Sequence, residues 1–148
     1  MNHRDLFDPT VHDGVLERLG GLTEDTAPQW GTMDAAQMCA HCSEVLEVST
    51  GKPLEGTPWY VGLMRGLIKK LVLSDRPYPR STRTHPQYVV TSDLDFAVEH
   101  ARLLGAISAA QASAGSPKRH PLFGQMTAEE NGWAAYKHLD HHLTQFGL

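Results

Sequence analysis

Two histidines near the carboxyl end of the chain have the spacing of metal ligands on a helix. His138 and His142 are four residues apart, so a helix places them one turn apart on one face, whereas His141 points further round. This is the spacing by which a helix offers two imidazoles to a single metal ion. The pair flanks an apolar stripe, which favours a site between helices over one on a solvent face. The stripe consists of Gly132, Tyr136, Leu139, Leu143 and Phe146.

A third histidine, His41, occupies a core position of another predicted helix. The three- and four-residue spacing of buried positions is followed there by Met38, His41, Val45 and Val48. A buried imidazole has two ring nitrogens to satisfy, and leaving one unpaired costs on the order of 1–3 kcal/mol. A metal ion on one nitrogen and a hydrogen bond on the other would satisfy both.

Each of these features has a simpler interpretation when it stands alone. A single histidine in an apolar stripe is more often hydrogen-bonded than metal-bound, and a histidine pair on an exposed face is usually polar surface. The combination favours a metal site, because three ligands from two helices are what the core of a helical bundle requires. We therefore predict that His41, His138 and His142 hold a divalent metal ion.

Two other site types use the same helices and are less well supported. Cys39 and Cys42 form a CxxC that could complete a closed Cys2His2 zinc site with the histidine pair. However, Cys39 points about 160° away from His41 around the helix, and a redox CxxC would follow a strand. Both cysteines are predicted to be small buried packing residues. A metalloprotease His-Glu-x-x-His pattern is absent, since Leu139 follows His138.

Further polar residues could contribute to a site on the last helix. Asp140, His141 and Gln145 are candidates for orienting ligands or moving protons, and the alternative is that they are surface or packing residues. A group of basic residues could favour an anionic thiol or acid substrate through local positive charge, and the alternative is a solvated loop. These basic residues are Lys69, Lys70, Arg76, Arg80 and Arg83.

The rest of the chain predicts the helices that position these residues. Five helices are expected. The first covers 9–19, the second runs from a Thr32 cap to about Thr50, and the third covers 59–73. The fourth runs from a Ser92 cap to about 113, and the fifth from Thr127 almost to the end. Thr127 and Glu130 form a capping box, while 74–90 is a long loop and 115–125 a break. For the fourth helix, the expected buried stripe includes Leu94, Val98, Ala101, Leu104 and Ala112.

These elements predict an all-α fold. Four long or medium helices and a shorter fifth pack as a bundle, in one domain over 1–148. The short segment 88–91 is β-prone, but a single strand has nothing to pair with.

Composition narrows the class of protein. The chain has 148 residues, a formal net charge of −4, nine histidines and two cysteines. The mild acidic balance argues against nucleic-acid binding, no apolar run is long enough to span a membrane, and the first residues form no signal segment. A cytoplasmic location is expected.

Segment 59–73 is basic and amphipathic. It is expected to pack on its own domain or on a second subunit in a homodimer, rather than on a membrane surface.

Several stretches resemble one known family. They are 120–124, 127–130 and 136–147, with weaker matches at 33–41 and 73–77. The chain resembles the DinB-like (YfiT-like) metalloenzyme superfamily, in the branch catalogued as domain of unknown function 1569. The His-x-x-His-His-x-x-Gln motif with which that superfamily ends is present as His138, His141, His142 and Gln145. The resemblance implies a four-helix bundle with long connections and a divalent metal held by His41, His138 and His142.

The resemblance also sets expectations for chemistry. Characterised relatives include transferases and isomerases that use low-molecular-weight thiols such as bacillithiol or mycothiol. Zinc or nickel is the expected metal, and iron or manganese also suits three histidines. A metal-held thiol gives transferase chemistry on a small molecule, and a metal-held hydroxide gives hydrolysis. The sequence does not decide which of these two groups is the catalytic one. The alternative is a non-catalytic helical module that binds metal or a protein partner.

Overall fold

The protein is mostly helical. The computed structural model describes residues 3–114, 116 and 119–148. Its α-helices are α1 (Pro9–Gly20), α2 (Ala35–Ser49), α3 (Val61–Leu73), α4 (Phe96–Ala112) and α5 (Ala128–Gln145). A 3-10 turn spans Pro86–Tyr88, and two short strands are β1 (Arg119–His120) and β2 (Gly124–Gln125). The helical prediction is confirmed, but it missed this two-stranded ladder; of the predicted break, 115, 117 and 118 lie outside the described residues.

Acidic or hydroxyl side chains begin most of the helices. The carboxylate of Asp34 accepts from the backbone N–H of Gln37, whose side chain returns a contact to the Asp34 backbone. Thr127 forms the predicted capping box with Glu130 at the start of α5. The predicted caps Thr32 and Ser92 are wrong, because α2 begins after Asp34 and α4 after Asp95, which accepts from the Val98 N–H. A carboxylate placed three residues before a free N–H satisfies that donor.

Helix α4 packs along α2 with a face opposite to the predicted one. Leu103, Ala106, Ile107 and Ala110 are buried, whereas Val98 is 61% exposed. The predicted stripe of Val98, Ala101, Leu104 and Ala112 is therefore wrong, with Leu94 only half-buried. Apolar and small residues surround most of α4, so its periodicity does not select a face.

An ion-pair cluster joins α4 to α2. Arg102 donates to both carboxylate oxygens of Glu47 at 2.8 and 2.7 Å and to Glu44 at 2.8 Å. Two parallel N–H···O bonds to one carboxylate add geometric specificity. This cluster joins the Arg102 side of α4 to α2, beside the buried face that contains Leu103 and Ile107.

The remaining elements are arranged around α5. Helix α5 contacts α1, α2 and α3, and α3 also contacts β2. None of the residues of α3 is buried. Among the described helices, none has both the length and the apolar character needed to cross a membrane.

The hairpin of β1 and β2 corresponds to one of the stretches that carry the family resemblance. His120 pairs with Gly124 across the ladder. The His120 Nδ1 accepts the Leu122 N–H at 3.1 Å, and its ring stacks on Phe123 with 4.0 Å between centroids. Burial lowers the pKa of His120 to about 4, so this ring stays neutral and structural.

The chain before α1 lies against α5 at a glycine. The Leu6 N–H donates to the Gly132 carbonyl at 3.1 Å, and the Asp5 carboxylate accepts the Phe7 N–H at 2.8 Å. A Cβ at Gly132 would overlap the Asp5 carboxylate. The absence of a side chain at this position is therefore what allows the close approach.

We predict that Gly132→Ala destabilises the protein by about 1–3 kcal/mol, since the added methyl group displaces the 5–7 segment from α5. Urea denaturation followed by circular dichroism measures the change. Gly105→Ala is the matched control, because nothing lies within 4 Å of a Cβ there; alanine in that exposed helix position should be neutral or add up to about 1 kcal/mol. Equal stability of the Gly132→Ala variant and the wild type would contradict the prediction.

Candidate metal centre

Three histidines from two helices meet in the interior of the protein. Helix α2 contributes His41, and α5 contributes His138 and His142. One ring nitrogen from each lies within 4.8 Å of the others. The Nε2 atoms of His41 and His138 are 3.1 Å apart. His41 is 4% and His142 is 8% exposed, whereas His138 is partly exposed, so two of the three rings are sealed from solvent.

The backbone carbonyl of Tyr88 orients His41. The His41 Nδ1 lies 2.7 Å from the Tyr88 oxygen, and because a carbonyl can only accept, Nδ1 carries the proton and Nε2 presents a lone pair. Tyr88 is the last residue of the 3-10 turn, and the His85 side chain stabilises that turn. The His85 Nδ1 accepts the Gln87 N–H at 3.1 Å, and the His85 Nε2 contacts the Thr57 hydroxyl at 3.0 Å. Loop 74–90 therefore supplies a fixed acceptor for a buried ligand candidate.

A relay through Gln145 orients His142. The Gln145 Nε2 donates to the Trp30 carbonyl at 2.7 Å, which leaves its Oε1 to accept from the His142 Nδ1 at 2.8 Å. His142 therefore presents Nε2, like His41. Gly31 takes φ +81°, and a Cβ there would lie 2.7 Å from the Gln145 amide nitrogen; only glycine suits this approach of the loop to α5.

His138 has a nitrogen without a partner. Its Nδ1 is buried and has no hydrogen-bond partner among the residues that the structure describes. Because His41 Nε2 has no proton to give, the 3.1 Å contact requires His138 to donate from Nε2. The lone pair of His138 Nδ1 is then buried and unsatisfied, which costs on the order of 1–3 kcal/mol. A metal ion bound at His138 Nε2 would move this proton to Nδ1, so the orphaned Nδ1 does not by itself indicate an ion.

All three imidazoles are neutral near pH 7. Burial lowers the pKa of His41. Burial, and then the proximity of the other two histidines, lowers the pKa of His138 further. Burial and the nearby His41 lower the pKa of His142 to about 3. Neutral imidazole is the form that binds metal, so protons compete little with an ion at neutral pH.

The donor set fits a divalent metal ion. Metal–nitrogen bonds of 2.0–2.1 Å in a tetrahedral site separate ligand atoms by about 3.3 Å, close to the 3.1 Å between two of these nitrogens. No cysteine or carboxylate belongs to the group within the described part of the chain. Three imidazoles leave the charge of an ion uncompensated, as in catalytic rather than closed structural zinc sites.

The cysteines lie in the hydrophobic core. Cys39 and Cys42 are fully buried among the core side chains, and the Cys42 thiol contacts the Met38 sulfur at 3.8 Å. Burial raises the pKa of Cys39 to about 12, so its thiol stays protonated. The structure thus does not assemble the Cys2His2 alternative and agrees with the packing role predicted for both.

The structure separates the three polar candidates on α5. Gln145 orients His142, as described above. Asp140 pairs with Arg18 at 2.6 Å and accepts from the Tyr136 hydroxyl at 3.3 Å, so these groups occupy its carboxylate. His141 faces Trp30 and Tyr78 edge-on, with ring centroids 5.8 and 5.7 Å away.

A surface cleft of about 240 Å³ lies beside His141. We call it the Trp30–Tyr78 cleft. Its lining includes Trp30, Tyr78, Arg80, Lys137, Asp140 and His141. Of the predicted basic group, Arg80 alone is among its lining residues; Lys69 instead pairs with Glu130 at 2.8 Å.

Sequence reasoning missed Lys137 and both carbonyl acceptors. Lys137 is 7% exposed and donates to the carbonyls of Val72 and Ser74 at 3.0 and 2.7 Å, while burial lowers its pKa. No sequence signal identifies a backbone carbonyl as the acceptor for a histidine. The adjacency of Lys137 to His138 was the only available hint of its position.

Comparison with known families identifies the chain at the family level. Residues 1–147 match the family described as Protein of unknown function (DUF1569). The chain belongs to this family. Searches of curated proteins and of solved structures gave no match. The narrower part of the resemblance drawn from the sequence is thereby confirmed.

We predict the proton positions of the metal-free cluster. His41 and His142 should carry the proton on Nδ1, and His138 on Nε2, because of the acceptors described above. Long-range proton–nitrogen correlation spectra of chelator-treated, ¹⁵N-labelled protein at neutral pH distinguish the two tautomers. His120, whose Nδ1 accepts the Leu122 N–H, should show the opposite tautomer to His41 in the same spectrum. A proton on Nε2 of His41 or His142 would refute the assignment.

Proposed function

We propose that this chain is a divalent-metal-dependent enzyme whose ion is held by His41, His138 and His142. The observation that carries the proposal is the convergence of three neutral ring nitrogens within 4.8 Å, two of them fixed by buried acceptors. We propose zinc or nickel as the ion, and iron or manganese also suits the donors.

We propose thiol-dependent transferase or hydrolase chemistry on a small molecule. When bound, a divalent ion on neutral imidazoles supplies a Lewis acid that activates a thiol or water at neutral pH. The chain's own contribution is to hold the rings: Tyr88 fixes His41, and Gln145 with Trp30 fixes His142. Such supporting contacts typically change metal affinity by 10- to 100-fold when removed.

We also propose that the chain is a DinB-like domain. Helices α1, α2, α4 and α5 would be the four helices of the bundle, and α3, which at 13 residues is one residue longer than α1, would be the extra helix. The family membership and the three-histidine cluster support this assignment, and so do the long connections between α2 and α4. In this view the metal-binding histidines lie where the helices carrying them face each other.

We predict that untagged wild-type protein contains about one divalent ion per chain, and that His138→Ala loses it, because only two donors remain. Mass spectrometric metal analysis after dialysis measures the ratio. His100→Ala is the matched control: His100 is a half-buried histidine that contacts the Leu19 carbonyl at 3.2 Å and lies outside the cluster. Full metal content in His138→Ala would overturn the ligand assignment.

A non-catalytic module is the second candidate, favoured by the deep burial of the cluster. A metal ion that only stabilises the fold should raise the melting temperature strongly and should not coordinate added small molecules. An open enzymatic site should in addition bind azide or a small thiol. With a cobalt-substituted protein, a change of the visible spectrum on adding azide favours the enzyme, and an unchanged spectrum favours the structural module.

A further inference from the structure

The Trp30–Tyr78 cleft contains a cation, Arg80, without an anionic partner among the described residues. The carboxylate of Asp140 is matched by Arg18 at 2.6 Å. The Lys137 ammonium donates two of its three N–H groups to backbone carbonyls. Its Nζ lies 4.3 Å from the centroid of the Tyr78 ring. Arg80 has no hydrogen-bond acceptor among the described residues.

The guanidinium of Arg80 is held in an orientation that leaves its donors open. It lies over the Trp30 ring with 4.3 Å to the centroid. A guanidinium that stacks on an aromatic ring still presents its N–H groups along its edge. One such edge matches a single carboxylate with two parallel hydrogen bonds. A phosphate dianion would require more donors than this single fork offers.

The walls and the size of the cleft suit a small apolar or aromatic body. The rings of Trp30 and Tyr78 both flank His141, and burial raises the pKa of Tyr78 to about 12, so its phenol is neutral. A volume of about 240 Å³ is that of roughly eight liquid waters. This accommodates an organic molecule of roughly ten non-hydrogen atoms.

The cleft borders the histidine cluster. The rings of His141 and His142 are 5.0 Å apart, and the Trp30 residue that walls the cleft also anchors Gln145 through its carbonyl. A molecule in the cleft therefore lies next to a proposed metal ligand. His141 lies between the cleft and the cluster, and the cleft lining contains none of the three proposed ligands.

We propose that the Trp30–Tyr78 cleft binds a small organic carboxylate, with the carboxylate on Arg80 and the apolar body against Trp30 and Tyr78. This names the substrate class of the proposed enzyme and rests on that function for its catalytic meaning. The binding itself requires only residues of the cleft. It can therefore be tested in protein without metal.

The test compares benzoate with benzamide, which has the same size and no charge. Each is titrated into chelator-treated, ¹⁵N-labelled protein, and the Trp30 indole resonance is followed. Benzoate should produce saturable shifts, with at least tenfold weaker binding of benzamide. Arg80→Gln should weaken benzoate binding at least tenfold and leave benzamide unchanged. Arg83→Gln, in the same loop but outside the lining, should match the wild type.

Equal binding of benzoate and benzamide, or full benzoate affinity in Arg80→Gln, would overturn the carboxylate site. Because the protein in these titrations is metal-free, that failure is separate from failure of the metal centre, which the metal content of His138→Ala reports. If the wild-type protein binds benzoate but purifies without metal, the carboxylate site is supported and its proposed catalytic role is contradicted.

A separate observation concerns α3, whose outer face is apolar and exposed. Leu63 is 80%, Leu67 54% and Leu71 62% exposed, with Tyr60 at 51% and Met64 at 46%. These residues follow the spacing of one helix face. Trp59, 82% exposed, precedes them. Together they expose roughly 700 Å² of side chain, close to the roughly 800 Å² that each partner buries in a standard interface.

Two of the three charges of α3 are directed away from this face. Arg65 donates to the Pro121 carbonyl at 3.0 Å, and Lys69 to the Gln125 carbonyl at 2.8 Å. Lys70 is the one charged side chain of α3 without a partner among the described residues. An anionic membrane would be met by more free cations than this, so a protein partner fits better.

Two glycines lie beside the apolar face. Gly62 and Gly66 are one turn apart, and a Cβ at Gly66 would meet nothing within 4 Å. Glycines at this spacing let a second helix approach closely. An antiparallel pair of α3 helices centred on Leu67 would set Leu63 against the second copy's Leu71. It would also set each Lys70 opposite a methionine, so the two ammonium groups do not face each other.

We infer that α3 is the interface of a two-fold homodimer. A symmetric pair presents the same patch from both copies, and the face is self-complementary in this sense. The exposed leucines do not belong to the hydrophobic core of the single chain. Their replacement therefore tests association without removing core packing.

Sedimentation velocity at micromolar concentration should show a dimer for the wild type and a monomer for Leu67→Glu, with unchanged circular dichroism. Val98→Glu is the matched control, since Val98 is 61% exposed on α4; it should remain dimeric. A monomeric wild type, a dimeric Leu67→Glu variant, or binding of the wild-type monomer to phosphatidylserine vesicles would each overturn the inference.

Discussion

Keeping three imidazoles neutral and correctly oriented inside the protein is the constraint on which the site depends. Burial removes water as a hydrogen-bond partner, so each buried N–H needs an acceptor from the chain. The carbonyl of Tyr88 serves His41, and the amide of Gln145, itself held by the Trp30 carbonyl, serves His142. His138 receives no such partner for Nδ1 within the described residues. The arrangement is therefore complete for two rings and open at the third.

This constraint explains why long connections accompany a small helical core. The loop before α2 must bring Trp30 to α5, and the loop before α4 must bring Tyr88 to α2. Helix α2 is fixed in turn by its packing on α4 and by the Arg102 contacts to Glu44 and Glu47. The two loops also wall the Trp30–Tyr78 cleft, so the elements that orient the histidines shape the space beside them.

The sequence predicts the parts of this arrangement that depend on local pattern. The four-residue spacing of His138 and His142, the core position of His41 and the capping box at Thr127 all follow from helical periodicity. The family resemblance was drawn from residues in the same segments. Each of these features is encoded by neighbours in the sequence, which is why it is visible there.

Other parts depend on contacts between distant segments and were not predictable. The acceptor for His41 and the acceptor that holds Gln145 are backbone carbonyls, which every residue has. The buried face of α4 depends on its packing against α2, because apolar and small residues are spread around the helix. The hairpin at His120 is too short to carry a strand pattern. In each case tertiary contacts decide among locally equivalent alternatives.

The most direct measurement of the central claim is anomalous diffraction at a metal absorption edge, from crystals of untagged protein. The account predicts one anomalous peak within about 2.0–2.2 Å of a ring nitrogen of each of His41, His138 and His142. A metal bound elsewhere, or at the cluster without one of these three histidines, would contradict it.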